Sequence, residues 1–130
     1  MLYLTARREA LDEIRAHDVD VDDALAGGRL AVSAAAGTYL SGGFAPGRMV
    51  AVLRDAVDRA VADGYDGMYV IGEMSWAAFG DVPGAERLGE YETAVDEVCA
   101  TRPVTTLCQY DRRDFDVPRL TELVGLHRRW

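Results

Sequence analysis

The amino-acid sequence predicts an α/β protein with a mostly parallel sheet flanked by helices. Short apolar runs typical of buried strands alternate along the chain with longer segments whose apolar residues recur every three or four positions. This alternation favours parallel pairing, because each helix carries the chain back to the start of the next strand. With 130 residues and 49% hydrophobic content, the chain is expected to form one globular domain over residues 1–130.

Capping residues and glycines delimit the predicted elements of the first part of the chain. Thr5 is a suitable N-cap for a helix over residues 6–16. Asp22 and Asp23 favour a short helical turn, because acidic side chains stabilise a helix N-terminus, and Gly27-Gly28 ends that turn. The predicted strands here are residues 2–4 and 30–34, and a loop with three glycines follows over residues 36–43.

The second part of the chain gives the stronger signals. Pro46 is favoured in the first turn of a helix, and Gly64 ends the apolar stripe that follows it. Asp116 is a suitable cap for the last helix. The other predicted elements are a strand over residues 68–71, a loop over residues 73–84, a helix over residues 90–100 and a strand over residues 104–110.

Composition excludes several classes of function. The formal charge of −8 argues against direct binding to nucleic acid or to an anionic membrane, because both rely on basic side chains. Every basic side chain except the two histidines is arginine, so a Schiff-base lysine and the lysine of a phosphate-binding loop are excluded. The sequence shows neither a signal peptide nor an apolar run near the roughly 20 residues that span a bilayer. A cytoplasmic protein is expected.

The sequence predicts no metal site, no cofactor and no catalytic residue. Cys99 and Cys108 do not make a disulfide framework, and His17 and His127 give no zinc-ligand spacing. A catalytic pair of Cys108 with His127 requires both in one site, which nothing in the sequence supports, so a buried inert thiol is favoured. Gly42-Gly43 lacks the Gly-Lys-Ser/Thr of a phosphate-binding loop.

Two predicted strand exits carry the candidate binding residues. Gly72-Glu73-Met74-Ser75-Trp76 follows one strand, and the polar and aromatic segment 108–115 follows the next. Ligands of open parallel sheets bind at the carboxyl ends of the strands. The helix between the two strands is expected to add its first residues to the same aromatic and charged cup. The candidate ligand-binding residues are therefore Glu73, Trp76, Tyr91, Glu92, Cys108, Tyr110, Asp111 and Arg112.

Each candidate also has a structural interpretation that the sequence leaves open. Glu73 is suited to cap the segment that follows it or to pair with Arg112. Trp76 and Tyr91 suit core positions over the end of the sheet and on a helical stripe. The charged residues 111–114 suit a solvated turn with surface ion pairs.

Several of these segments resemble the MEDS family, named after methanogen and methylotroph proteins and the sensory domain of the dichloromethane regulator DcmR. The resemblance extends from Leu2 to His127 and is most specific in the Gly-Glu-Met-x-Trp and Cys-x-Tyr-Asp motifs. The segments that carry it, in the same order as in the family, are Gly42-Gly43-Phe44-Ala45-Pro46, Gly64-Tyr65, Gly72-Glu73-Met74-Ser75-Trp76, Glu90-Tyr91-Glu92 and residues 107–115.

The resemblance implies a RecA-like or KaiC-like core that has lost its phosphate-binding loop. It also implies a sensory domain that binds small organic molecules and passes the signal to an output in transcription regulation or signal transduction. Relative to the family, residues 1–4 look like the second strand, so we expect a domain truncated at its N-terminus with an unpaired sheet edge. A homodimer or a regulatory protein partner is expected to cover that edge.

Three functions follow from these observations. The favoured one is a non-catalytic sensory or ligand-binding domain that acts through a separate output partner. The second is a protein-interaction module, a pseudo-ATPase-like regulator of a kinase or sigma-factor system. The third is an enzyme that uses Glu73 and Asp111 as acid and base, although no nucleophile with an evident base accompanies them.

Overall fold

A four-stranded parallel sheet organises the chain. The computed structural model describes residues 1–5, 10–37, 40 and 42–127. Its sheet has the strand order β2-β1-β3-β4, and every neighbouring pair is parallel, which confirms the predicted α/β class with a parallel sheet. The strands are β1 (Leu2–Thr5), β2 (Ala31–Ala34), β3 (Met68–Glu73) and β4 (Val104–Gln109).

Five helices connect or follow the strands within the described residues. The predicted cap of the last helix is confirmed, since the Asp116 side chain accepts from the Arg119 N–H at 2.8 Å. The second helix is capped by Asp20, which accepts from the Asp23 N–H at 2.8 Å. The helices are α1 (Ala10–Arg15), α2 (Val21–Ala26), α3 (Pro46–Ala62), α4 (Leu88–Thr101) and α5 (Val117–Gly125).

Some predicted boundaries differ from the structure. Thr5 is the last residue of β1, and the predicted first turn of the following helix, residues 6–9, lies outside the described residues. Strand β3 continues to Glu73 because Gly72 and Glu73 still pair with Cys108 and Gln109 of β4. Tyr110, predicted as the end of the last strand, lies just beyond it.

The sheet is packed on both faces. The main core lies between the sheet and α3, α4 and α5, with Val57 of α3 and Leu123 of α5 almost fully buried. A smaller cluster around Val21 and Leu30 packs α1 and α2 against Val32 and Ile71 on the other face. Successive side chains of β3 therefore point to opposite cores, as the pleat of a strand requires.

The smaller face is covered incompletely. Ile71 of β3 reaches the cluster under α1 and α2, but Tyr69 and Leu107 on the same face are 65% and 55% exposed. Parallel sheets are usually covered on both faces, so two exposed apolar side chains on the β3 and β4 surface are an unusual feature.

A close backbone contact fixes the loop that leads into the main core. The Phe44 N–H donates to the Pro83 carbonyl at 2.7 Å. Gly84 has φ +88°, and a Cβ at this position would stand 2.1 Å from the Phe44 carbonyl oxygen. Only glycine allows both this conformation and this approach, and the contact holds Phe44 at the carboxyl end of the sheet.

Substitution of Gly84 by alanine is expected to destabilise the fold strongly. The left-handed conformation costs an L-residue about 1–2 kcal/mol, and the overlap with Phe44 adds about 1–3 kcal/mol. Gly80→Ala is the matched control, because Gly80 has φ +73° and nothing lies within 4 Å of its added Cβ. Urea unfolding measures both; equal losses for the two variants would contradict the contact.

Candidate functional site

The two predicted strand exits meet at one edge of the sheet. Strands β3 and β4 are neighbours, and Glu73 stands opposite Gln109 in their register. The connection continues past the strands, because the Met74 N–H donates to the Gln109 carbonyl at 3.0 Å. Residues that follow β3 and β4 are therefore brought together, as the sequence predicted for neighbouring parallel strands.

Glu73 is buried and serves as a local cap. Its exposed fraction is 5%, and its Oε1 accepts from the Ser75 N–H at 2.9 Å. This bond satisfies a donor at the start of the helical turn Ser75–Ala77. The capping role that the sequence left open is confirmed, and it fixes the backbone direction as the chain leaves β3.

Trp76 and Tyr91 form a packed aromatic layer under this edge. Both are buried, and both contact Phe44, whose ring centroid lies 4.8 Å from that of Trp76 and 5.5 Å from that of Tyr91. The Tyr91 contact is edge-to-face, an arrangement that aromatic rings favour. Trp76 and Tyr91 thus lie in the main core, which confirms the structural interpretation that the sequence left open for each of them.

Glu92 is the most unusual side chain of the region. It lies on the apolar stripe of α4 between Leu88 and Val95, and its exposed fraction is 0%. The Tyr110 hydroxyl donates to its Oε1. The His127 Nε2 lies 3.2 Å from its Oε2, an ion-pair contact when the imidazole is protonated, although not an aligned hydrogen bond. A carboxylate in the interior requires such partners.

Cys108 extends this arrangement along β4. Burial raises the pKa of its thiol well above the ordinary value, and the charge and hydrogen-bond acceptor of Glu92 raise the pKa further. Cys99 on α4 lies close by, with its Sγ 3.4 Å from the Thr106 hydroxyl. The Cys108 thiol is therefore held in its protonated form. We call Glu92, Cys108, Tyr110 and His127 the Glu92 cluster.

The remaining two candidates lie toward solvent. Asp111 accepts from both the backbone N–H and the Nε of Arg113, at 2.9 and 3.0 Å. Arg112, between them in sequence, is exposed. The ring of Tyr110 packs edge-to-face on Phe115 at 5.1 Å, so the turn is tied back to the Glu92 cluster. The turn with ion pairs that the sequence left open is thus observed at Asp111.

The sequence named three of the four cluster members but did not assign His127 to them. A local signal existed, since Leu120, Leu123 and His127 recur at three- and four-residue spacing, which places them on one face. Leu123 is buried in the main core, and the imidazole that follows it reaches Glu92. The contact itself depends on how α5 packs beside α4.

Three further observations concern the rest of the described residues. An open depression on the surface of α3, lined by Asp55, Asp58, Arg59 and Ala62, comes from one helix and is not a candidate site. Among the described residues, no three histidine, cysteine or acidic side chains are grouped to hold a metal ion. None of the described helices combines the length and apolar character of a membrane-spanning segment.

The Tyr110→Phe variant is expected to lose about 1.5–3 kcal/mol of unfolding free energy, because a hydrogen bond to a buried charged group is removed. Tyr65→Phe is the matched control, since Tyr65 is 43% exposed and its hydroxyl lies 3.5 Å from the Gly28 carbonyl. Urea unfolding at neutral pH compares the two. A cost for Tyr110→Phe no larger than for Tyr65→Phe would contradict the buried bond.

The raised pKa of Cys108 predicts a pH dependence of stability. The unfolded thiol ionises near pH 8.5, whereas the folded thiol keeps its proton to higher pH. The folded state therefore loses stability as the pH rises from about 8.5 toward the folded pKa. Cys108→Ala should show a shallower loss between about pH 8 and 10, measured by urea unfolding. Cys99→Ala should change the slope less, because Cys99 is the smallest of the causes that raise the pKa of Cys108. Identical slopes for all three proteins would be the contrary result.

Comparison with known proteins identifies the family of this chain. The family model described as MEDS, the methanogen/methylotroph, DcmR sensory domain, matches residues 1–128. No curated protein and no solved structure matches the chain significantly. The match covers nearly the whole chain, including both strand exits and the Glu92 cluster. The chain therefore belongs to the MEDS family of sensory domains.

Proposed function

We propose that this MEDS domain is a non-catalytic sensor that binds a small organic molecule at the carboxyl edge of β3 and β4. The observation that carries the proposal is the Glu92 cluster: a fully buried carboxylate that meets a phenol, a thiol and an imidazole at the strand exits. Convergent polar groups in an apolar setting are typical of small-molecule sites. The sensory character of the family supports the same function.

The chemistry of the cluster favours binding over catalysis. A nucleophilic cysteine acts as its thiolate, whereas the Cys108 thiol is held protonated by its surroundings. Asp111, the other half of the acid–base pair considered from the sequence, is engaged by Arg113. Glu73 is engaged by the Ser75 N–H. These contacts stabilise the resting structure and leave no evident reacting pair.

The candidate residues take different parts in this proposal. Glu92 and Tyr110 supply the polar anchor, and Cys108 lies beside them. Trp76 and Tyr91 form the rigid wall behind the anchor, because both are packed on Phe44. Glu73 fixes the exit of β3, and Asp111 and Arg112 form the solvent-facing rim.

We also propose that the fold is a RecA-like or KaiC-like core without a phosphate-binding loop. A parallel sheet with helices on both faces supports this assignment, and so does the complete lack of lysine. A core without a phosphate-binding loop is not expected to hydrolyse a nucleotide. In this proposal, the signal therefore passes by protein contact to a separate partner in transcription regulation or signalling.

Protein interaction is the second candidate function, and one observation favours it. Tyr69 and Leu107 are exposed on the part of the sheet that α1 and α2 leave uncovered. Exposed apolar patches on a folded domain mark interaction sites when they are large enough. The sequence analysis expected a homodimer or a regulatory protein partner at an unpaired sheet edge; in this second proposal, such a partner uses the exposed face instead.

A thermal-shift screen of the purified chain against small organic molecules, amines, halocarbons and nucleotides tests the sensory function. A ligand that binds the folded state raises the melting temperature. At a ligand concentration one hundred times Kd, the free energy of unfolding increases by about 2.7 kcal/mol. The rise should be smaller in Trp76→Phe, which keeps an aromatic ring in the core. Tyr69→Phe is the matched control, because Tyr69 is exposed on the other face.

Trp76→Phe is preferred to Trp76→Ala because Trp76 is 8% exposed, and truncation of a core tryptophan costs about 3–5 kcal/mol by itself. Silence across the whole panel with a folded protein would contradict the sensory proposal and favour the interaction function. Equal ligand shifts in wild type and Trp76→Phe would place the binding site elsewhere.

A further inference from the structure

The charge balance of the Glu92 cluster indicates which class of ligand it takes. Of the three described neighbours of the carboxylate, the Tyr110 hydroxyl and the Cys108 thiol are neutral, and only His127 can bring a positive charge. We propose that Glu92 recognises a small organic cation of the alkylammonium class, which takes the place of the His127 imidazole beside Oε2. This inference rests on the proposed sensory function and names the ligand class of the same site.

Burial makes the charge of the ligand decisive. Glu92 has an exposed fraction of 0%, so water does not stabilise its carboxylate. An ammonium group supplies the missing positive charge and several N–H donors from a single nitrogen. A neutral molecule of the same shape leaves the buried charge without compensation, which is unfavourable in the interior. The charge of the ligand is therefore expected to matter more for binding at this site than its size.

His127 is the replaceable member of the cluster. Its side chain is 26% exposed, whereas that of Glu92 is fully buried. Its Nε2 stands at ion-pair distance from Oε2 without the alignment of a hydrogen bond, while Tyr110 bonds Oε1 directly. A solute that displaces the imidazole therefore reaches Oε2 and leaves the Tyr110 bond in place.

A ligand that replaces the imidazole is expected to carry only a short alkyl group. Leu126, the residue before His127, packs against the main core, and its Cδ1 would lie 3.5 Å from a Cβ added to Gly89. The ring of Tyr110, held edge-to-face by Phe115, adds an aromatic surface of the kind that attracts organic cations. The ligand replaces an imidazole, so methylammonium and ethylammonium have the appropriate size.

Displacement also changes how α5 is held. The contact between His127 and Glu92 joins the segment just beyond α5 to the middle of α4. A cation at Oε2 breaks this side-chain contact while Leu123 remains in the core. Occupancy of a buried carboxylate is thus converted into a change at a half-exposed histidine, which a sensory domain requires.

Titration of the ¹⁵N-labelled chain with ethylammonium chloride, followed by NMR, tests the proposal. The imidazole signal of His127 should shift, whereas that of the exposed His17 serves as an internal control within the same protein. Sodium chloride at equal concentration controls for ionic strength, and ethanol is the neutral molecule of matching size. Neither should shift the His127 signal along the same path.

Variants separate recognition from structure. Glu92→Gln should abolish ethylammonium binding, with Glu97→Gln, an exposed glutamate of the same helix, as the matched control. His127→Ala should bind about tenfold more tightly, because no imidazole competes for Oε2; His17→Ala should bind like wild type.

The inference is overturned by binding retained in Glu92→Gln, by an equal response to ethanol, or by no gain in His127→Ala. If Glu92→Gln fails to fold, the comparisons with ethanol and with His127→Ala still test the inference. Stabilisation by neutral organic molecules alone, with sensitivity to Trp76→Phe, would refute the cation inference and uphold the sensory function. No response to any compound would refute both.

Discussion

The burial of one carboxylate is the constraint around which the candidate site is built. Glu92 occupies a position on α4 that the apolar stripe would assign to a hydrophobic residue, and it is fully removed from water. Such a group is tolerated only with polar partners. These come from β4 with Cys108, from the turn beyond it with Tyr110, and from the end of α5 with His127. One side chain thereby couples three elements that local structure leaves independent.

A second constraint is the close contact between two loops at the carboxyl end of the sheet. The tight approach of Gly84 to the Phe44 carbonyl fixes the loop before α3 against the loop after β3. Phe44 then packs on Trp76 and Tyr91, so the aromatic layer becomes part of the main core. Because Tyr91 and Glu92 are consecutive on α4, the rigid aromatic layer and the polar cluster share one helical turn.

This combination supports the proposed sensory function. A domain that reports a small molecule needs a fixed surface that defines the ligand and a movable group that responds to it. The aromatic layer is buried and tightly packed, whereas His127 is partly exposed and held by charge and proximity. Under the proposal, binding changes the contact between His127 and Glu92, which lacks the alignment of a hydrogen bond.

The sequence by itself determined the α/β class, the parallel pairing, the cap at Asp116, the start of α3 at Pro46 and the two strand exits. These features depend on periodicity and on the preferences of residues at helix ends, which are local properties. The motifs also indicated the family. Only the tertiary structure placed β1 inside the sheet and His127 against Glu92. The sequence of a four-residue apolar strand such as β1 does not indicate which strands pair with it. A contact between two helices distant in sequence is decided by packing, which no local pattern encodes.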